Sequence, residues 1–340
     1  MKKGLGCFTI LLAVALVISV LINFLSIASW FGIDESAMSF VQPKAHFSEH
    51  LIEDGKKDVK DKIVRIDLEG VIASGPESSV LGGAGMDVEG VKRALEQAVD
   101  DKNVKAIVLL VNSPGGEVTA SDTLYHAVKE AAKKKNVVVY MDSMAASGGY
   151  YLSCGASRII ANETTLTGSI GVIIHTLNYS QAFGKLGLDS VTFKSGDFKD
   201  TLSGSRPMRD DEKVYVQTLV TDMYEKFLGV VSEARKIPKE QLKAGIADGR
   251  VFTGGEALKN KLVDQLGYIE DAYAEAKKLG GAPGAMVVKY QHHTSLLEIF
   301  GALGSAQKTG AAQVRVDLTS GVLPHLKPGT MYMLPPSMVP

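Results

Sequence analysis

Residues 137–155 begin Val-Val-Val-Tyr-Met and continue Asp142-Ser143-Met144-Ala145-Ala146-Ser147-Gly148-Gly149-Tyr150-Tyr151. A β-branched run that stops at small residues and passes into a helix-compatible segment, 150–154, predicts a buried strand, a tight corner and a helix start. No other stretch restricts the fold as much. A serine at such a corner is presented at the positive end of a helix, and the flanking Ala and Gly leave room for a substrate backbone. A nucleophile whose attack creates an oxyanion needs that setting. Serine is also a favoured N-cap, so on this stretch alone Ser147 is either a helix cap or a nucleophile.

The remainder of the body repeats strand then helix. Residues 62–68 alternate as a strand, and 106–111 form a continuous apolar run of buried-strand type. Helices are predicted over 88–99 and 118–133, with Val88, Val91, Leu95 and Val99 on one face of the first. Strands follow at 158–161, 169–174 and 190–194, and a helix at about 178–187. The longest amphipathic helix covers 210–235, with Val216, Val220, Met223, Phe227 and Val231 at near-helical spacing. Helices at 238–244 and 269–279 and a strand at 286–290 close the body. This order predicts an α/β fold with helices packed on a mainly parallel sheet.

Outside the body the composition changes. Met1-Lys2-Lys3-Gly4 precedes apolar sequence to Phe31, long enough to span a hydrocarbon core, with Trp30-Phe31 at the far interface. Lys2 and Lys3 favour a cytoplasmic N-terminus, which puts the body outside the cytoplasm. Ser26-Ile27-Ala28 resembles a signal cleavage site, but the apolar stretch exceeds the roughly 7–15 residues of a signal core, so a retained anchor is the preferred reading. The organisation expected is an anchor (1–31), a stalk (32–61) with a helical pattern over 48–60, a protease-sized domain (62–293) and an extended tail (294–340). Five of the eleven prolines fall in residues 324–340, among apolar residues such as Met331, Tyr332, Met333 and Leu334. That tail suits occupation of a groove in β-strand form. A net charge of −1 with interspersed signs offers no basic face for nucleic acid, and two distant cysteines give neither a disulfide framework nor metal-ligand spacing.

Asn112-Ser113-Pro114-Gly115-Gly116 sits at a strand end before a helix, where Pro114 sets a turn and two glycines allow backbone N–H groups to face an anion. An ordinary βα turn reads the same way, and no phosphate-loop Lys-Ser or Lys-Thr follows. A nucleophilic Ser147 needs a base. Of seven histidines, His175 is the serious candidate, at the end of the segment after the Ser147 helix. The other option is a lysine kept neutral by burial, and Lys199, beside Phe198 in a Gly-bounded loop, fits. Asp197 and Asp200 flank it, and a solvated loop lysine is the plain alternative.

Taken together, Asn-Ser-Pro-Gly-Gly, Ala-Ser-Gly-Gly-Tyr-Tyr, Thr-Gly-Ser-Ile-Gly-Val (167–172), Lys-Ser-Gly-Asp-Phe-Lys (194–199) and Gly-Arg-Val-Phe-Thr-Gly closely resemble the signal peptide peptidase SppA family, in its short single-domain form. The likeness covers about residues 62–290. It implies a Clp/crotonase-like fold and a serine protease with a Ser/Lys dyad, with no cofactor or metal. By motif, Ser147 is the nucleophile, Lys199 the general base, and Ser169 the residue that orients the lysine. The backbone N–H groups of Gly115, Gly116 and Gly148 form the oxyanion hole. The resemblance further implies remnant signal peptides and other apolar peptides as substrates, lipid contact through the N-terminal helix, and a closed homo-oligomer whose dyad is completed between subunits. The rival readings are a Clp-like Ser147–His175–Asp protease, a crotonase-like thioester enzyme that would not need Ser147, and a non-catalytic membrane scaffold.

Overall fold

The apolar runs become neighbouring strands of one sheet. A computed structural model describes residues 47–74, 85–291 and 332–333, with Leu16 and Ser19 besides. The expected anchor, the first half of the stalk and nearly all of the tail lie outside the described residues. No helix among the described residues is long and apolar enough to cross a membrane.

In chain order the first elements are β1 (Ser48–Glu53), β2 (Lys62–Glu69), β3 (Val71–Ala73), β4 (Gly85–Asp87), α1 (Val88–Asp100), β5 (Val104–Ser113), β6 (Gly116–Glu117) and α2 (Val118–Lys134). Then come β7 (Asn136–Ala146), α3 (Gly148–Ser153), β8 (Arg158–Ala161), β9 (Leu166–Gly168), α4 (Ser180–Lys185) and α5 (Asp210–Arg235). The last are α6 (Lys239–Gly245), β10 (Val251–Thr253), α7 (Gly254–Lys259), β11 (Gln265–Leu266), α8 (Ile269–Leu279), β12 (Met286–Gln291) and β13 (Tyr332–Met333).

The main sheet runs β1-β12-β2-β5-β7-β8-β11, parallel from β12 onward, with β9 joined in parallel to the end of β7 and β10 antiparallel to β9. Both faces are covered, which is why β5 and β7 read as unbroken apolar runs. Ile107, Leu109, Val137 and Val139 point into one core with α1, α2 and the C-terminal half of α5. Ala106, Val108, Val138 and Tyr140 point into the other, against Ala272, Tyr273 and Ala276 of α8. This mixed α/β architecture fits the Clp/crotonase-like fold. A smaller sheet, β13-β6-β3-β4, takes over where β2 turns at Gly70 and β5 turns at Pro114-Gly115.

Three local expectations are corrected. The 48–60 pattern is not helical: residues 48–53 form β1, antiparallel to β12, so the folded body begins ahead of Lys62. Long-range pairing overrides the local pattern, because β12 would otherwise present an open edge of backbone groups, and the Phe47 ring stacks on Tyr290 with centroids 6.0 Å apart. Residues 169–174 form no strand element: the strand is β9, just upstream, and the chain leaves it at Ser169 with φ 50°. Residues 190–194 are exposed and likewise form no strand, since no strand among the described residues pairs with them.

Candidate active site

Ser147 stands where β7 ends. β7 carries its last pairings to two elements at once, Ala145 opposite Ser113 of β5 and Ala146 opposite Gly168 of β9. The 112–116 turn, the Ser147 corner and Ser169 are therefore drawn to one edge of the sheet. The Ser147 backbone adopts φ 53° and ψ −114°, a sparsely populated conformation that costs about 1–3 kcal/mol and must be held by its surroundings. Its N–H donates to the Gly168 carbonyl (2.8 Å), and its own carbonyl accepts from Tyr151 N–H (2.8 Å). Ser147 is wholly buried, yet its Oγ has no hydrogen-bond partner among the described residues and does not cap α3. The helix-cap reading is thereby excluded. A buried hydroxyl left unbonded costs stability that a structural role would not explain.

The glycines opposite are required by close approach. A Cβ on Gly148 would lie 2.4 Å from Ser121 Oγ, 3.1 Å from Gly115 Cα and 3.2 Å from Gly116 N. Gly115 has φ +102°, and a Cβ there would sit 2.5 Å from Gly148 N and 2.0 Å from the Met333 carbonyl oxygen. The three glycines expected to form an oxyanion hole are thus side by side, with Gly116 paired to Met333 of β13 and Gly115 engaged by a serine side chain. Gly115 N–H donates to Ser113 Oγ (3.1 Å), and the Ser113 hydroxyl donates to the Gly70 carbonyl (2.7 Å). The part of Gly115 is conformational. Sequence reasoning gave Ser113 no role, although a serine two residues before the N–H it accepts is a recognisable turn signal.

Ser169 follows directly on the β9 residue paired with Ala146 and is almost fully buried. Its N–H donates to the Arg250 carbonyl (2.8 Å). It lies on the wall of a cavity of about 590 Å³ shared with Gln217, Thr221 and Tyr224 of α5 and with Asp248. His175, the alternative base, is exposed on the rim of the same cavity.

Lys199 is placed apart from this cluster, on an exposed turn where its N–H donates to the Gly196 carbonyl (3.1 Å). The single chain does not bring it against Ser147, whose Oγ is without a partner. The segment that carries Lys199 leaves large apolar side chains uncovered: Leu177, Leu186, Val191 and Phe193 are 71, 72, 75 and 95% exposed. The buried apolar residues of α5 lie in its C-terminal half, while Val214 and Tyr215 in its first turns are exposed.

A second serine-side feature comes from the tail. Tyr332 and Met333 form β13, antiparallel to β6, with Met333 opposite Gly116 and Tyr332 opposite Glu117. The Met333 side chain is buried in the main core.

Acyl transfer is the chemistry that uses a hydroxyl with free lone pairs next to glycine N–H groups, and it places the chain among the serine hydrolases. Residues 129–282, a stretch that includes Ser147, Ser169 and Lys199, match Peptidase family S49. A protein of Enterococcus faecium named as a signal peptide peptidase SppA is 38% identical over 252 residues, which is 73% of this chain and 72% of that protein. Protease 4 of Haemophilus influenzae is 35% identical over 223 residues, 65% of this chain and 35% of the relative. The chloroplastic serine protease SPPA of Arabidopsis thaliana is 30% identical over 254 residues, 73% of this chain and 37% of the relative. The chain belongs to peptidase family S49, the signal peptide peptidase SppA family, and is a serine protease.

Proposed function

We propose that this serine protease is a membrane-anchored endopeptidase that cleaves remnant signal peptides, with Ser147 and Lys199 as its dyad. The observation that carries the reading is the Ser147 hydroxyl, fully buried and unbonded on a strained corner beside Gly116 and Gly148. In the reaction, the Lys199 amine takes the Ser147 proton as Oγ attacks the peptide carbonyl. Negative charge on the carbonyl oxygen is received by the N–H groups of Gly116 and Gly148. The ammonium then protonates the leaving amine, and the restored base activates water to release the acyl group. Ser169, next to the nucleophile through the β7–β9 pairing, orients the lysine by a hydrogen bond.

The apolar segment around Lys199 supports completion of this dyad between neighbouring subunits of a closed homo-oligomer, because association would cover side chains that one chain leaves in water. The apolar sequence up to Phe31 supports anchoring with the protease body on the extracytoplasmic side. Peptide substrates of signal-sequence type fit a groove that already accepts an apolar strand, β13, by β-addition.

That strand also supports self-occupation of the site by the tail. The Met333 carbonyl oxygen and Gly148 N lie on the same side of Gly115, so the Met333–Leu334 bond is the one we expect to be trimmed. The test of the catalytic reading is mass-spectrometric mapping of a synthetic signal peptide after incubation with wild type, Ser147→Ala and Lys199→Ala. Both variants are expected to leave the peptide intact. Full activity in Lys199→Ala would remove the lysine from the mechanism and turn attention to His175.

A further inference from the structure

A lysine that must act as a free amine is poorly served by carboxylates on either side of it, since an unmatched negative charge favours the ammonium form. Lys199 has Asp197 and Asp200 as such neighbours. Asp200 is not unmatched. Its Oδ2 accepts from Arg206 Nε (2.8 Å), and its Oδ1 accepts from Arg206 Nη2 (2.7 Å) and Lys194 Nζ (2.8 Å). The same guanidinium reaches α5, donating from Nη1 to Glu212 Oε2 (2.8 Å) and from Nη2 to Glu212 Oε1 (2.5 Å). Glu212 is fully buried and also accepts from Thr201 Oγ1 (3.2 Å) and from Arg209 N–H (2.9 Å). Hydrogen bonding to Arg206 holds Asp200 well below the usual carboxylate range and pulls Glu212 down to about 2.

Asp197 is exposed to water, which screens its charge, and the carboxylates in the first turn of α5 have partners of their own. From the first turn of α5, Asp210 is matched by Lys213 (2.8 Å) and Asp211 by Arg209 (3.0 Å). Asp197 presents its backbone carbonyl to Lys194 (3.0 Å) and Arg209 (3.1 Å), and the Arg209 guanidinium lies over the Phe198 ring, 5.3 Å from its centroid. Phe198 in turn packs edge-on against Tyr215 of α5, with centroids 5.3 Å apart. The Lys199 turn is therefore bolted to α5 on both sides of the lysine, and Arg206 is the group that touches both carboxylates.

We propose that Arg206 is a positioning residue for the dyad: it fixes the Lys199 turn to α5 and compensates the charge of Asp200, the next residue in the chain. This rests on Lys199 being the general base. Bidentate Arg–carboxylate contacts supply both the geometry and the compensation, and a mere brace would need no charge matched to the lysine. The step is one of placement, with no bond made or broken by Arg206 itself.

The experiment is the pH profile of kcat/KM for a fluorogenic apolar peptide, using the full-length protein in one detergent. Arg206→Gln is expected to move the acid limb up by about 0.5–1 pH unit, a loss of about three- to tenfold on that limb. Asp200→Asn is expected to move it down, because Arg206 then stands uncompensated. The double variant Arg206→Gln/Asp200→Asn should return the limb close to wild type, and Arg206→Lys, which keeps the charge, should leave it in place. Limbs that stay fixed while activity falls, or that move the same way in both single variants, would overturn the proposal. Asp200→Asn decides by itself if Arg206→Gln does not fold, because it leaves the Arg206–Glu212 pair intact. Lys199→Ala is run alongside. An active Lys199→Ala removes the base assignment and this proposal with it, whereas an inactive one with unmoved limbs in the other variants removes this proposal alone.

Discussion

At Ser113 a single hydroxyl ties the oxyanion turn to the neighbouring strand, accepting from Gly115 N–H and donating to the Gly70 carbonyl. Gly115 is buried and Gly70 half-buried, so removing the hydroxyl leaves a donor and an acceptor unmatched at a cost of about 1–3 kcal/mol. The turn is also what aims Gly116 N–H and sets Gly148 against Gly115. Ser113→Ala is therefore expected to lower kcat by about tenfold or more while KM changes little, since the oxyanion is held only in the transition state. Steady-state kinetics on a short peptide checks this, and an effect on KM alone would contradict it. Ser147 shows the limit of sequence reading at this scale. Small neighbours marked the corner, but a free hydroxyl and a φ of 53° depend on Gly168, at the end of another strand, holding the backbone beside the local bond from Tyr151.

Among the elements, β13 is the one with a direct kinetic consequence. It adds to β6 beside Gly115 and Gly116, so an incoming peptide and the tail compete for the same backbone edge. Deleting residues 320–340 is expected to raise turnover of an added peptide at low substrate concentration by severalfold. Intact mass measurement of the wild type should show chains ending at Met333, absent in Ser147→Ala. Equal rates with an intact tail would show that the strand does not occupy the working groove. The proline-rich, apolar composition of 324–340 pointed to an extended segment, and the pairing partner came from the fold. β1 teaches the reverse lesson. Residues 48–53 carry a mixed polar pattern and most of them are exposed on the sheet edge, so nothing periodic announced a strand. Only the unpaired edge of β12 made one.

For the whole molecule, the segment around Lys199 and the N-terminal half of α5 both leave large apolar side chains in water. Phe193, at 95% exposure, contributes nothing to the fold of its own chain. Phe193→Asp is accordingly expected to leave the monomer's thermal midpoint almost unchanged while shifting the protein to smaller species in sedimentation velocity, with loss of peptidase activity. An unchanged oligomer would mean that this surface serves another partner. With Ser147 and Lys199 as the proposed dyad, a buried nucleophile and an exposed base also make a safeguard, because an unassembled subunit would then be inactive. Measuring specific activity against protein concentration in the same experiment tests that dependence.

The sequence by itself determined the α/β layering, the position of the nucleophile corner and the residues available for chemistry. β5 and β7 are buried on both faces and so must be continuously apolar, while the turns must be small where backbones approach. Only the tertiary structure decided that Ser147 Oγ is unbonded, that Gly115 N–H is engaged by Ser113, and that Arg206 joins Asp200 to Glu212. Those outcomes rest on contacts between segments far apart in the chain, set by strand pairing and burial, for which local periodicity carries no signal.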